Sequence, residues 1–200
     1  MISKIIRKVK RTINPNSDPR NYLLSQMPKN GVCAEIGSWK GDFTQKILQK
    51  TSPKKITLVD PYMYVADYEN AWYGGSKGSQ AMMDEIHDSV ANRFKSQIQA
   101  GQVEIKRSPS KEGLLSFEDE SLDWVYIDGD HTYEFVVEDL KASWGKVKVG
   151  GYITGDDYHD HGWWKDGVMK AVDEFIEEKK GSIGRTFFKG TQFAIEKVDK

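Results

Sequence analysis

Five ionisable side chains in two short strings carry the clearest chemical signal. The strings are Ile127-Asp-Gly-Asp-His-Thr-Tyr133 and Gly150-Gly-Tyr-Ile-Thr-Gly-Asp-Asp-Tyr158. Asp128, Asp130 and His131 follow one apolar run, and Asp156 and Asp157 follow the next. If both runs are strands lying parallel and adjacent, four carboxylates meet at one rim. There they repel one another unless a cation or shared protons lie among them. Hard oxygen donors with no thiolate suit Mg²⁺, Mn²⁺ or Ca²⁺, and Asp128, Asp156 and Asp157 are the expected ligands. The competing reading is that the aspartates cap turns and helices. It applies best to Asp130, next to an expected helix start.

Two more strand ends carry residues suited to a nucleoside. In Glu35-Ile-Gly37-Ser-Trp-Lys-Gly41, Gly37 leaves a strand into a turn. With no Cβ it would let a ligand approach the backbone, while Gly41 opens the next helix. Asp60 closes the apolar run Ile56–Val59. A carboxylate about 20 residues beyond a glycine turn can accept hydrogen bonds from ribose hydroxyls. The string is neither Gly-x-Gly-x-x-Gly nor a phosphate-binding loop with its lysine.

The elements that position these residues alternate along the chain. Strands are expected at Val32–Ile36, Lys55–Asp60, Val103–Arg107, Leu122–Asp128 and Gly151–Gly155. Helices are expected at Arg20–Met27, Asp42–Lys50, Gln80–Gln99, Tyr133–Trp144 and Val168–Glu178, from apolar residues at helical spacing. Arg185–Lys189 and Gln192–Lys197 read as a closing hairpin around Gly190. Such alternation implies an α/β fold, with a parallel sheet covered by helices on both faces. The aromatic stretch 61–79, too long for a plain connection, is expected to cover a ligand.

The chain has 200 residues, 38% of them hydrophobic and 30% charged. That fits one globular domain and excludes a disordered or membrane-embedded chain. A net charge of −1 gives no support to general nucleic-acid binding. One cysteine, Cys33, excludes an internal disulfide and fits a reducing cytoplasm. Residues 1–20 hold six basic side chains against Asp18. Ile2, Ile5, Ile6, Val9 and Ile13 recur there at helical spacing. This basic amphipathic helix either covers the domain's own core or meets an anionic membrane surface through residues 2–13. Residues 1–29 are therefore read as helix and lead-in, and 30–200 as the domain proper.

Together the Glu35-x-Gly37-x-x-x-Gly41 turn, Asp60, the Asp-Gly-Asp-His131 string and the Gly-Gly…Asp-Asp157 string resemble class I S-adenosylmethionine-dependent methyltransferases. They are most similar to the macrolide- and novobiocin-type sugar O-methyltransferases. The resemblance runs from about residue 30 to the end. It implies a Rossmann-like, mostly parallel seven-stranded sheet with a C-terminal antiparallel hairpin. It implies a cofactor site of Glu35, Gly37, Ser38, Gly41, Asp60, Ser110 and Asp128, and magnesium on Asp128, Asp156 and Asp157. It makes Asp130 the general base, with His131 the second candidate. The expected reaction is methyl transfer to a hydroxyl of a small molecule or glycan in the cytoplasm, with homo-oligomers left open. The alternatives are a nucleoside-binding module without catalysis, and a methyltransferase acting on RNA or protein.

Overall fold

The computed structural model describes residues 18–68 and 74–199. The basic helix expected over residues 2–13, and residues 69–73 of the aromatic stretch, lie outside the described residues. Seven strands form one sheet: β1 Val32–Ile36, β2 Lys55–Val59, β3 Val103–Lys106, β4 Leu122–Ile127, β5 Val147–Gly155, β6 Ile183–Lys189 and β7 Gln192–Lys197. Their order is β3-β2-β1-β4-β5-β7-β6. The first five in that order run parallel. The chain then returns through the β6–β7 hairpin, and β7 pairs antiparallel with β5. The expected fold is the observed one. The strand order reverses between β1 and β4, where open α/β sheets bind ligands at the carboxyl ends of their strands.

The helices are α1 Pro19–Gln26, α2 Asp42–Thr51, α3 Gln80–Arg93, α4 Lys95–Gln99, α5 Ser110–Leu115, α6 Tyr133–Lys146 and α7 Gly167–Glu178. Alternation along each strand sends side chains to two separate cores. Ala34, Ile36, Val125 and Ile127 join Val136, Leu140, Val172 and Phe175 under α6 and α7. Cys33, Trp124 and Tyr126 join Leu23, Leu24, Phe43, Ile47 and Phe94 on the other face. Leu23 and Leu24 of α1 are fully buried, so the residues that position the site begin well before residue 30.

Two expectations on helices are corrected. The single helix expected over Gln80–Gln99 is broken at Phe94, whose backbone leaves the helical region (φ −104°, ψ 18°) while its ring enters the second core. Ile98, expected on the buried stripe, is 36% exposed. Helix α5 was not expected at all, being one and a half turns long with little periodicity. It packs so closely on β2 that a side chain at Gly113 would clash with Val59.

Candidate functional site

The carboxyl ends of β1, β2, β4 and β5 form one rim with two unlike halves. The first half is built by β1 and β2. Gly37 turns the chain at φ +82°, and a Cβ there would run into the carbonyl oxygen of Asp128. The glycine is thus needed for the close approach of the protein's own β4 loop. Gly41 caps α2 in the left-handed region (φ +74°), and a Cβ there would press on the Phe94 ring. Asp60 ties the two turns together. Its Oδ2 accepts from the Trp39 amide at 2.9 Å and its Oδ1 from the Tyr62 amide at 2.8 Å. Burial pushes the Asp60 carboxyl up, against the pull of these backbone donors. The Ser38 amide also acts on this carboxylate, whose two oxygens together offer four acceptor sites.

Ser38 is buried, and its hydroxyl lies 2.9 Å from that of Tyr62, whose side chain is fully buried. Trp39 and Tyr62 both hold positive φ (+46° and +43°), a costly conformation for side chains of this size. Glu35 is also buried and accepts from the Thr44 hydroxyl at 2.5 Å. Desolvation raises its carboxyl to about 8, with Asp128 and Asp60 adding to the effect, so it is largely protonated at neutral pH. A surface hollow lined by Pro61, Tyr62, Gln80, Arg107 and Ser108 adjoins Asp60. Another is lined by Lys55, His87, Gly101 and Glu104, and the His87 ring stands 5.2 Å from that of Tyr62. Ser110 opens α5 next to the buried Asp139 of α6, whose carboxyl is pushed up to about 7 by burial.

The second half, built by β4 and β5, is charged. Asp128 and Asp156 share the guanidinium of Arg20. Nη2 donates to Asp128 Oδ2 at 3.0 Å and to Asp156 Oδ2 at 2.5 Å, while Nε donates to Asp156 Oδ2 at 2.9 Å. Asp156 Oδ1 accepts from the Thr191 hydroxyl and, at 2.8 Å, from the Asp157 amide. Burial alone would raise the Asp156 carboxyl, but Thr191 and Arg20 bring it below the usual carboxylate value. Asp157, at φ +59°, turns its side chain between two imidazoles. His131 Nε2 lies 3.1 Å from one oxygen and His159 Nε2 3.1 Å from the other. His131 Nε2 is also 3.6 Å from Asp128 Oδ1. Desolvation works to lower the His131 pKa, yet the surrounding Asp128, Asp157 and Asp130 carboxylates outweigh it and raise it above the ordinary value.

Asp130 accepts from the Thr132 amide at 2.8 Å, the capping role weighed for it, and Tyr68 also reaches its carboxylate. An aromatic wall stands behind His131. The ring centroid of Trp164 lies 4.6 Å from it and that of Trp163 6.5 Å, with Tyr68 6.0 Å from Trp163. Trp164 packs on the core under α6 and α7. Trp163 is 38% exposed.

The structure therefore brings the predicted residues to one rim but groups them differently. Asp128, His131 and Asp157 place ligand atoms within 4.8 Å of one another. Asp156 stands outside this group, with both oxygens held by Arg20, Thr191 and the chain itself. Magnesium on Asp128, Asp156 and Asp157 would have to displace a guanidinium. The remaining trio substitutes an imidazole, a donor Mg²⁺ does not favour. The residues present do not fit the expected magnesium site. Sequence reasoning missed Arg20, Thr191 and Thr44, of which only Thr44, on a predicted helix, left a signal that could have been read; Tyr62 belongs to the aromatic stretch expected to cover a ligand.

An open α/β sheet with acidic residues at the carboxyl ends of the strands beside its switch point belongs to the doubly wound class, whose crevice binds ligands. Residues 34–158 match the family model described as "Methyltransferase domain", and the chain belongs to that family. A curated relative, uncharacterized protein R132 of Acanthamoeba polyphaga mimivirus, is 28% identical over 148 residues, covering 72% of this chain and 58% of that protein. This chain thus spans little more than half of its relative's length. Among solved structures, the O-methyltransferase NovP superposes with a TM-score of 0.63 at 20% identity, over 90% of this chain and 80% of that one. A SAM-dependent methyltransferase from Aquifex aeolicus gives 0.58 at 14% identity, over 98% and 96%. A Clostridium thermocellum protein proposed to be an rRNA methylase gives 0.65 at 12% identity, over 96% and 99%. At these identities the structures attest the fold.

Proposed function

We propose that the protein transfers the methyl group of S-adenosylmethionine to a hydroxyl of a small molecule or glycan. The observation that carries this reading is the pairing of His131 with Asp128 and Asp157 on the rim where the Gly37 and Asp60 turns would hold a nucleoside. The bound sulfonium supplies an already activated methyl group. What the chain must provide is alignment, exclusion of water and a place for one proton. The Gly37–Trp39 turn, fixed by Asp60, forms the cofactor side. His131, its Nε2 turned to Asp157 and Asp128, takes the hydroxyl proton in its neutral form at the other ring nitrogen, Nδ1, as the acceptor oxygen bonds to carbon and the carbon–sulfur bond breaks. Asp157 and Asp128 then stabilise the imidazolium. This assigns the base to His131 and leaves Asp130 to hold the loop. The exposed indole of Trp163 offers an apolar platform for an acceptor.

Calorimetry with S-adenosylhomocysteine and labelled methyl transfer onto a panel of hydroxylated sugars, amines and RNA test the proposal. Binding together with label on a hydroxyl supports it. Absence of binding overturns it, and label on RNA or an amine overturns the acceptor class. No described helix is long and apolar enough to cross a membrane.

A further inference from the structure

Arg20 lies more than 100 residues from either carboxylate it holds and comes from a segment that reads as a lead-in. Its placement is nonetheless fixed from several sides. Asp18 caps α1 by accepting from the Arg20 amide at 2.9 Å and pairs with Lys46 at 3.3 Å. Pro19 packs against Gly190 of the closing hairpin, leaving no room for a Cβ there. Leu23 and Leu24 anchor the helix in the core, and the guanidinium sits 5.0 Å over the Phe43 ring. A rigid helix thus delivers a planar, permanently charged fork to two carboxylates that belong to different strands. A guanidinium serves this arrangement better than a lone point charge would.

The Nη2 atom touches one oxygen of Asp128 and one of Asp156, which is the position of a bridging cation. We propose that Arg20 is the resident cation of this aspartate rim, a positioning residue standing where a divalent ion shared by Asp128 and Asp156 would bind. The native rim is therefore ordered without metal, and a metal site opens only when Arg20 is removed. The proposal deepens the methyl-transfer reading by naming what orders its acceptor side, and it can be tested apart from that reading.

The experiment is a titration of the full chain with Mn²⁺, followed by electron paramagnetic resonance, on wild type, R20Q, R20K and R20Q/D156N. Binding of S-adenosylhomocysteine is measured in parallel. Wild type is expected to show no saturable Mn²⁺ site at the rim. R20Q, with its freed carboxylates, is expected to bind at least about tenfold tighter. R20K, which keeps a charge, should stay close to wild type, and R20Q/D156N should lose the gained site. A purely structural role for Arg20 predicts no gain of metal. Wild-type Mn²⁺ binding as tight as that of R20Q, or a gain that survives D156N, overturns the proposal. If R20Q does not fold, wild type decides the matter. A saturable site abolished by D156N overturns the proposal, and none supports it. Absence of S-adenosylhomocysteine binding in wild type overturns methyl transfer and leaves the Arg20 assignment standing.

Discussion

The two halves of the rim use the same residue type in opposite ways. On the β1–β2 side, carboxylates are withdrawn from solvent and served by neutral donors. Asp60 holds two backbone amides and Glu35 one hydroxyl. Both are pushed toward their protonated forms. On the β4–β5 side, Asp128, Asp156 and Asp157 meet Arg20, His131 and His159. Asp156 is more than nine-tenths covered yet held ionised. Burial and partner act together: Thr191 and Arg20 hold Asp156 low, whereas burial still pushes Asp157 up despite its two imidazoles. The first half is a buried socket of neutral donors, and the second a network of ion pairs.

The largest expected effect comes from joining the halves too tightly. G37A places a methyl group against the Asp128 carbonyl and forces a positive φ on alanine. It should cost at least about 3 kcal/mol, seen as a melting point lowered by roughly 6 °C or more. A melting point within a degree of wild type would show that the β1 and β4 turns are not in contact. On the charged side, H131A should lower methyl transfer at least about a hundredfold while leaving S-adenosylhomocysteine affinity within about threefold. Loss of cofactor binding instead would move His131 to the other half. On the neutral side, D60A leaves the Trp39 and Tyr62 amides without their acceptor. It should weaken cofactor binding about tenfold or more and cost roughly 2 kcal/mol of stability.

A pH series sharpens the contrast further. Glu35, at about 8 in the folded protein against an ordinary 4.5, keeps a proton that the unfolded chain has lost between these values. Its contribution to stability therefore falls as pH rises from about 5 to 8. E35Q should flatten that decline in a melting-temperature series. An unchanged slope would mean that Glu35 is ionised in its pocket. The smallest effect belongs to W163A, an exposed ring. It should shift stability by less than about 0.5 kcal/mol and raise the acceptor KM without altering cofactor affinity.

Much of this was legible in residue order. The strands before Gly37, Asp60, Asp128 and Asp156 are found within a residue or two of where alternation places them, except that β5 begins four residues earlier. The hairpin around Gly190 follows from its turn residue. The split of the long helix at Phe94 was not legible, because the ring's place is set by packing against Gly41 and the second core. Nor was the meaning of Gly37. Its turn is local, whereas the Asp128 carbonyl that excludes a side chain lies 91 positions away.

The amino-acid order by itself determined that acidic residues would stand at the ends of parallel strands, because period-two burial fixes where each strand starts and stops and crossover helices force the strands to run the same way. Only the tertiary structure decided what neutralises those acids. Arg20 and Thr191 reach Asp156 across 136 and 35 positions of sequence, and no local periodicity encodes a charge pairing between elements brought together by core packing alone.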